Sequence, residues 1–209
     1  MNETSMWELI HAERARLSDT LAALDPEQWE HGTLCEGWNV RQTTGHVLAG
    51  AEQTTAGFLS RFAASFFRFD VMTKTDVQRY GALAPGVLVT RLRATTTTTN
   101  HPPAPIAAML GEVVAHAEDI CQPLGISSGV ADNALIATLD AFANTGFPLG
   151  SKKRVAGLSL KANDLAWSHG SGPSVEGSGK SLMLVMVGRT AKLADLSGTG
   201  VGELTRRLS

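Results

Sequence analysis

Hydrophobic residues in the first two-thirds of the chain recur with the period of an α-helix. In residues 5–24 they form a single stripe, made of Leu9, Ile10, Leu17, Leu21 and Leu24. A second helix is predicted to begin at Asn39, whose side chain caps the first turn while Gln42 occupies the reciprocal position of a capping box. The hydrophobic pattern continues through Phe58 and Phe62 into RFAASFF, so the sequence predicts one long second helix.

Three further helices are predicted before residue 150. The segment APGVLVTRLRA places Pro85 in a first turn, where a missing N–H is tolerated. The following TTTTTNHPPAP is predicted to be a linker, because β-branched residues and paired prolines oppose a continuing helix. Pro105 then opens a fourth helix that reaches about residue 122, and ADNALIATLDAFA forms a fifth.

The pattern changes after about residue 150. The segment RVAGLSLKANDLAWSHGSG alternates apolar and polar residues in two short pieces, which is typical of strands. SGPSVEGSG is rich in turn residues, KSLMLVMVGR predicts a buried helix and GVGELTRRLS a short terminal helix. We therefore expect a helical bundle over residues 1–150 and a small α+β region over residues 151–209, with a mainly α fold class.

Composition and charge exclude several classes of protein. Of 209 residues, 43% are hydrophobic and 18% charged, so the chain can form a packed core. A net charge of -2 without a basic run argues against a nucleic-acid partner and against a polybasic membrane anchor. The charged N-terminal segment is not a signal peptide, and two cysteines are too few for a secreted disulfide scaffold. These features together predict a cytoplasmic protein.

The segment MLGEVVAHAEDI carries the first candidate chemistry. Glu112 and His116 are four residues apart, which places them about 40° apart on one helix face. A buried carboxylate is unfavourable unless it is paired or binds a cation, so an ion pair, a solvent-facing helix edge and a metal site all remain open. Glu118 points to the other side and is expected to be solvated.

A third ligand has to come from another segment, and His46 is the candidate. It lies roughly 100° from the hydrophobic stripe of its own helix, so the pattern alone favours a histidine at the flank. A helical bundle can nevertheless direct such a residue into a pocket between helices. Cys35 is interpreted as a structural thiol. Asp119 is either a residue that orients a metal ligand or a surface acid at the helix end.

Four segments in the same order carry a family resemblance: LCEGWNVRQTTGHVLAG, PPAPIAAMLGEVVAHAEDICQPLG, GLSLKANDLAWSHGSGP and LMLVMVGRTAKLADLSGTGV. Together they resemble the mycothiol-dependent maleylpyruvate isomerase family of the DinB-like helical-bundle superfamily, over nearly the whole chain. The resemblance implies a DinB-like four-helix bundle with a small C-terminal α+β appendage. It also implies a divalent metal, usually zinc, bound by His46, Glu112 and His116, and an Arg that binds or activates substrate, which by position in VGR is Arg189.

Two departures from the family pattern stand out. TTGH has small polar residues and a glycine before His46, where bulkier apolar or acidic residues are expected, and this is predicted to loosen the helix around His46. Cys121 stands where a basic residue is common, and is predicted to alter the pocket wall and with it the choice of substrate.

The implied activity is that of a metal- and mycothiol-dependent isomerase or S-transferase. Two imidazoles and one carboxylate leave coordination positions open, as in catalytic zinc sites, and a thiol bound there loses its proton near neutral pH. The thiolate then attacks a small electrophile; with maleylpyruvate, addition to the cis double bond permits rotation, and elimination releases the trans isomer. The expected partners are therefore a small electrophilic substrate and a low-molecular-weight thiol, with no nucleic acid and no membrane.

Two other functions are compatible with the same residues. One is a non-catalytic, metal- or ligand-binding DinB-like protein, and the other is a metal-dependent hydrolase in which water takes the place of the thiol. The oligomeric state is left open between a monomer and a homodimer.

Overall fold

The computed structural model of this protein describes residues 2–146 and 149–209. Within that part the chain is mainly helical, which confirms the predicted fold class. Its α-helices are α1 (Glu3–Ala22), α2 (Pro26–Glu30), α3 (Val40–Ala51), α4 (Thr55–Ala64), α5 (Phe69–Gly81), α6 (Pro85–Ala94), α7 (Ile106–Cys121), α8 (Asp132–Asn144), α9 (Ser151–Val155), α10 (Gly179–Met186) and α11 (Val201–Leu208). Two 3-10 turns lie at Thr95–Thr97 and Thr190–Asp195, and the strands are β1 (Ser159–Ala162), β2 (Ser168–Gly170) and β3 (Ser174–Gly177).

Four helices in the first part of the chain form a bundle. Helix α1 packs against α6 and α7, and α3 packs against the same two helices. The core between them contains fully buried aliphatic side chains, among them Ile10, Leu48, Leu92 and Leu110. Removing this apolar surface from water is the main force that holds the helices together. The predicted four-helix bundle is confirmed.

The second predicted helix begins where the sequence indicates but ends early. Asn39 Oδ1 accepts a hydrogen bond from the Gln42 backbone N–H at 2.9 Å, and Gln42 Oε1 accepts one from the Asn39 N–H at 3.0 Å. The helix stops at Ala51, and α4 starts anew with Thr54 as its cap, whose hydroxyl accepts from the Gly57 N–H at 3.1 Å. The prediction of one long helix was wrong, because this threonine gives the backbone a new start site.

Helix α5 has no counterpart among the predicted elements. Only a few of its apolar side chains are buried, including Met72, Val77 and Tyr80, so its hydrophobic stripe is weak. It packs against α3 through small residues. A Cβ atom added at Gly45 of α3 would lie 2.7 Å from the Gly81 backbone nitrogen, so only glycine permits this approach.

The last part of the chain contains the small α+β region. The sheet order is β2-β1-β3, with β2 antiparallel and β3 parallel to β1. Leu160 of β1 is opposite His169 of β2 and Val175 of β3. Strand β3 lies in the segment SGPSVEGSG, which the sequence analysis described as rich in turn residues. Val175 is the only large apolar residue of β3, so the alternation of apolar and polar residues was too short to indicate a strand.

Contacts divide the chain into two units, Met1–Val130 and Ala131–Ser209. The boundary near residue 150 that the sequence pattern favours places α8 with the bundle, whereas this division places α8 with the α+β region. In the second unit, the Trp167 indole N–H donates to Asp140 Oδ1 of α8 at 2.8 Å. None of the helices in residues 2–146 and 149–209 is long and apolar enough to cross a membrane.

Candidate metal centre

Helix α7 supplies two of the predicted ligands. Glu112 and His116 lie one turn apart, and Glu112 Oε2 is 3.4 Å from His116 Nε2. Almost every residue of α7 from Met109 to Cys121 is buried, since the helix is packed between α1 and α3. Glu112 is the exception, with 37% of its side chain exposed. The carboxylate therefore lies at the mouth of the site and the imidazole of His116 lies inside.

Helix α3 supplies the third predicted ligand. His46 Nε2 lies 3.2 Å from Glu112 Oε2, the same oxygen that faces His116. The imidazole rings of His46 and His116 are 5.0 Å apart and nearly perpendicular. The indole ring of Trp38, in the loop before α3, packs against His46 at 5.1 Å. His46 is thus directed toward α7, although the hydrophobic pattern of its own helix placed it at the flank.

The segment before His46 does not loosen its helix. Thr43 and Thr44 are fully buried, and Gly45 faces the backbone of α5. The α-helix runs without interruption through these residues. The predicted loosening was therefore wrong, because the small side chains are what permits close packing of α3 against α5.

The three side chains fit a divalent cation. Their ligand atoms all lie within 4.8 Å of one another. Zinc bonds of about 2.0–2.1 Å in a tetrahedron separate neighbouring ligand atoms by roughly 3.3 Å, and the two distances to Glu112 Oε2 are 3.2 and 3.4 Å. Two imidazoles and one carboxylate suit zinc and other divalent transition metals, and leave at least one coordination position for another ligand.

Glu112 and His116 shift each other's pKa in opposite directions. Burial alone would raise the pKa of Glu112, but hydrogen bonds with His116 and His46 hold it well below its ordinary value. Burial alone would lower the pKa of His116, but Cys35, Asp119 and Glu112 together hold it well above its ordinary value. These directions favour an ionised Glu112 and a protonated His116 in the metal-free protein, so a metal ion would have to displace a proton from His116.

Behind His116 lie Asp119, whose role the sequence left open, and Cys35, which the sequence analysis interpreted as a structural thiol. Asp119 Oδ2 lies 2.9 Å from His116 Nδ1, and the Cys35 thiol donates to the same oxygen at 3.1 Å. The one-turn spacing of His116 and Asp119 was a sequence signal for the contact between these two side chains. Nothing in the local pattern of residues 31–39 indicated the contact between Cys35 and Asp119.

Glu118 is buried, contrary to the expectation that it is solvated. Its side chain accepts a hydrogen bond from the Ser128 hydroxyl, and another from the Gln122 side-chain amide at 3.0 Å. The segment after α7 folds back, with the Ile126 N–H donating to the Cys121 carbonyl at 3.1 Å. This return covers the side of α7 that a helical projection assigns to solvent.

The remaining predicted residues lie outside this group. Arg189 follows α10 in the second unit; its backbone N–H donates to the Leu184 carbonyl at 2.9 Å and its guanidinium to the Val187 carbonyl at 3.4 Å. Cys121 is buried at the end of α7. Its effect on a pocket wall stays a prediction, as does the substrate role of Arg189.

Comparison with known proteins relates the chain to one family of enzymes. The model of the mycothiol maleylpyruvate isomerase N-terminal domain family matches residues 10–104, which include His46. A crystal structure of a mycothiol-dependent maleylpyruvate isomerase in a histidine-to-alanine variant is similar with a TM-score of 0.62 and 15% identity. Another of the mycothiol-dependent maleylpyruvate isomerase has a TM-score of 0.60 and 13% identity. Both alignments cover 95% of this chain and 93% of the other.

No curated protein sequence matches the chain. At these identities the two solved structures establish the fold, while the family model identifies the domain that carries His46. The resemblance seen in the sequence is confirmed: residues 10–104 match the model of the mycothiol maleylpyruvate isomerase N-terminal domain family, and both similar solved structures are of mycothiol-dependent maleylpyruvate isomerase.

Proposed function

We propose that this protein is a divalent-metal- and mycothiol-dependent enzyme, an isomerase or S-transferase that acts on a small electrophile. The observation that carries the proposal is the convergence of His46, Glu112 and His116 within 4.8 Å. The match of residues 10–104 to the model of the domain family supports it. Both similar solved structures bear the name mycothiol-dependent maleylpyruvate isomerase, which makes maleylpyruvate the first substrate to test.

In this proposal His46, Glu112 and His116 hold the cation, and zinc is the ion we expect first. A cation bound in such a site lowers the pKa of a coordinated thiol and so supplies a thiolate near neutral pH. The chain itself supplies orientation. Asp119 accepts the Nδ1–H of His116, which leaves the Nε2 lone pair for the metal, and Trp38 packs against the ring of His46.

Arg189 is the residue we propose for substrate binding in the second unit. A guanidinium binds a carboxylate through two parallel hydrogen bonds, which fixes the substrate in one orientation. The Arg189 backbone is anchored by its bond to the Leu184 carbonyl, at the end of the buried helix α10. A substrate with a carboxylate group is therefore favoured over a neutral one.

The test is metal analysis of the purified protein followed by an assay with maleylpyruvate and mycothiol. We expect close to one metal ion per chain, and formation of the trans isomer that requires both the metal and the thiol. The double variant of Glu112→Ala with His116→Ala should contain no metal and have no activity. Undiminished metal in that variant would rule out the site.

Two controls separate the alternatives. Glu118→Gln changes a buried acid on the same helix that lies outside the ligand group, and should keep its metal. Turnover without added thiol would instead favour a metal-dependent hydrolase. Metal binding with no thiol conjugate from any of a panel of electrophiles would favour a non-catalytic binding protein.

A further inference from the structure

We propose that Cys35 is a positioning residue of the metal centre, whose thiol holds the carboxylate that orients His116. The proposal rests on the proposed function only in taking His116 as a metal ligand. Cys35 itself does not touch the three ligand atoms that face the cation. It acts through Asp119 and through its own contact with Nδ1 of His116, the ring nitrogen that faces away from Glu112.

The contacts form a chain of three buried groups. The Cys35 thiol donates to Asp119 Oδ2 at 3.1 Å, and the same oxygen lies 2.9 Å from His116 Nδ1. The sulfur also lies 3.5 Å from His116 Nδ1. Asp119 is fully buried, and Cys35 and His116 are each only 7% exposed. A carboxylate removed from water in this way depends on protein donors, so each donor helps to set its orientation.

The loop that carries Cys35 is attached to α7 at the same residue. The backbone N–H of Leu34 donates to the Asp119 carbonyl at 3.1 Å. Within the loop, the Cys35 N–H donates to the Thr33 hydroxyl at 3.2 Å, and the Trp38 N–H donates to the Cys35 carbonyl at 3.0 Å. This short loop therefore contacts both histidines of the site. Cys35 binds Asp119 behind His116, and Trp38 packs against His46.

Loss of the thiol should weaken metal binding without removing a ligand. Partners that orient a metal-bound imidazole typically change metal affinity by about tenfold to hundredfold when they are removed. Serine keeps an O–H donor at this position, whereas alanine and valine have none. The donor, more than the volume of the side chain, should therefore decide the affinity.

The test is zinc affinity, measured by competition with a chromogenic chelator, together with the thermal midpoints of the metal-free proteins. We expect Cys35→Ala and Cys35→Val to bind zinc about tenfold to hundredfold more weakly, and Cys35→Ser to stay close to wild type. Cys121→Ala is the matched control, because this second buried cysteine belongs neither to the group of His46, Glu112 and His116 nor to that of Cys35, His116 and Asp119, the two groups of possible metal ligands in residues 2–146 and 149–209. The valine variant keeps the test valid if the alanine cavity prevents folding.

Three results would overturn this role. The first is unchanged zinc affinity in both donor-free variants, and the second is a serine variant that binds zinc as weakly as the alanine variant. The third is a second zinc ion per chain that is lost with Cys35, because the sulfur would then be a metal ligand. A wild-type protein that binds no zinc would overturn the proposed function as well. A wild type that binds zinc, with donor-free variants that bind it equally, overturns only the role of Cys35.

A separate observation in the second unit carries a second proposal. We infer that a cavity of about 600 Å³ there, lined by Gly150, Lys153, Arg154, Ala156 and Arg207, binds a small oxyanion. Its size lies within the range of small-molecule sites, roughly 300–1,000 Å³. Three of the five lining residues are cationic and none is acidic. The ligand class is therefore a small molecule with phosphate or carboxylate groups.

The protein compensates the positive charge of this cavity only in part, through the ion pair of Arg207 with Glu203. Within the described residues, Lys153 takes part in no ion pair, and the guanidinium of Arg154 donates to the carbonyls of Leu149 at 2.5 Å and Met186 at 2.9 Å. Burial, and then the charge of Arg189, lowers the pKa of Arg154. The second unit has nine Lys and Arg against six Asp and Glu, while the first unit is acidic. A bound anion would relieve this repulsion.

The two arginines are held in place before any ligand arrives. Arg207 Nη1 donates to the carbonyls of Arg154 and Ala156 at 2.6 and 2.7 Å, and its Nε to Glu203 at 2.7 Å. Side chains fixed in this way lose little conformational freedom on binding. Fixed guanidinium groups also match the geometry of phosphate and carboxylate oxygens.

Isothermal titration calorimetry of the full chain with inorganic phosphate, and separately with malonate, tests the site and distinguishes the two sources of oxyanion. We expect saturable binding of at least one of them in the millimolar range or tighter, weakened about tenfold or more by Lys153→Glu. Lys152→Glu is the matched control, because it makes the same charge change at the exposed neighbouring residue outside the cavity. Absence of saturable binding, or an equal loss in both variants, would overturn the proposal.

Discussion

Asp119 Oδ2 lies 2.9 Å from Nδ1 of His116, while the other nitrogen of that ring, Nε2, lies 3.4 Å from Glu112 Oε2. The ring is thus held between an acid that is fully buried and an acid at the mouth of the site. Such an arrangement favours a proton on Nδ1, and in the proposed site it leaves Nε2 to bind the metal once the second proton is displaced.

Asp119→Asn should therefore weaken metal binding while leaving all three ligands in place. We expect an affinity about tenfold to hundredfold lower, because an amide holds the Nδ1–H less strongly than a carboxylate does. Chelator competition with zinc measures it. Glu118→Gln, a neutral substitution at the neighbouring buried acid, should bind zinc as wild type does; equal affinity in all three proteins would contradict the role of Asp119.

The raised pKa of His116 predicts a pH dependence of the metal-free protein. Folding favours the protonated imidazole, so its contribution to stability is fully present below the unfolded pKa of about 6.5 and is lost as pH rises through the folded pKa. Urea unfolding in the presence of a chelator should show that the advantage of wild type over His116→Gln shrinks above about pH 6.5.

Metal binding should have the opposite trend, because the cation replaces the His116 proton. The apparent zinc affinity of wild type is expected to increase from pH 6 upward, as measured in the same competition assay. His31→Gln changes an exposed histidine and should leave both pH profiles unchanged. A wild-type stability advantage that increases with pH would contradict the charge assigned to His116.

Gly45→Ala should destabilise the bundle, because its Cβ would meet the backbone of α5 at 2.7 Å. We expect a loss of about 1–3 kcal/mol in the free energy of unfolding, from the overpacking of α3 against α5. Gly50→Ala lies in the same helix with nothing within 4 Å of the added atom, and should stabilise the protein by up to about 1 kcal/mol through helix propensity. Equal effects of the two substitutions would mean that the close approach is absent.

Ser128→Ala should lower the free energy of unfolding, because Glu118 is buried and accepts a hydrogen bond from the Ser128 hydroxyl. Removal of the hydroxyl deprives the carboxylate of a donor, which we expect to cost about 1–3 kcal/mol in chemical denaturation. Ser127→Ala, at the exposed residue next to it, should change stability by less than about 0.5 kcal/mol. If the two serine variants were equally stable, Glu118 would be solvated as its helical position alone implies.

Much of the fold, and the shared direction of two of the three candidate ligands, could be predicted from residues close together in the sequence. The capping box of Asn39 and Gln42 marks the start of α3, and the spacing of Glu112 and His116 puts both on one side of α7. The early end of α3 and the presence of α5 could not be read in this way. The first was missed because the helical hydrophobic pattern continues past Ala51 to Phe62, and the second because few side chains of α5 are buried.

What the sequence by itself determined are the features set by residues within one turn of one another: helix starts, strand alternation in β1 and β2, and the shared direction of Glu112 and His116. Tertiary structure alone decided the features that depend on segments far apart in the chain. Cys35 and Asp119 are 84 positions apart, and His46 reaches Glu112 only because α3 packs against α7. A helical projection records the direction of a side chain about its own axis, whereas the partner that it meets depends on how the helices pack.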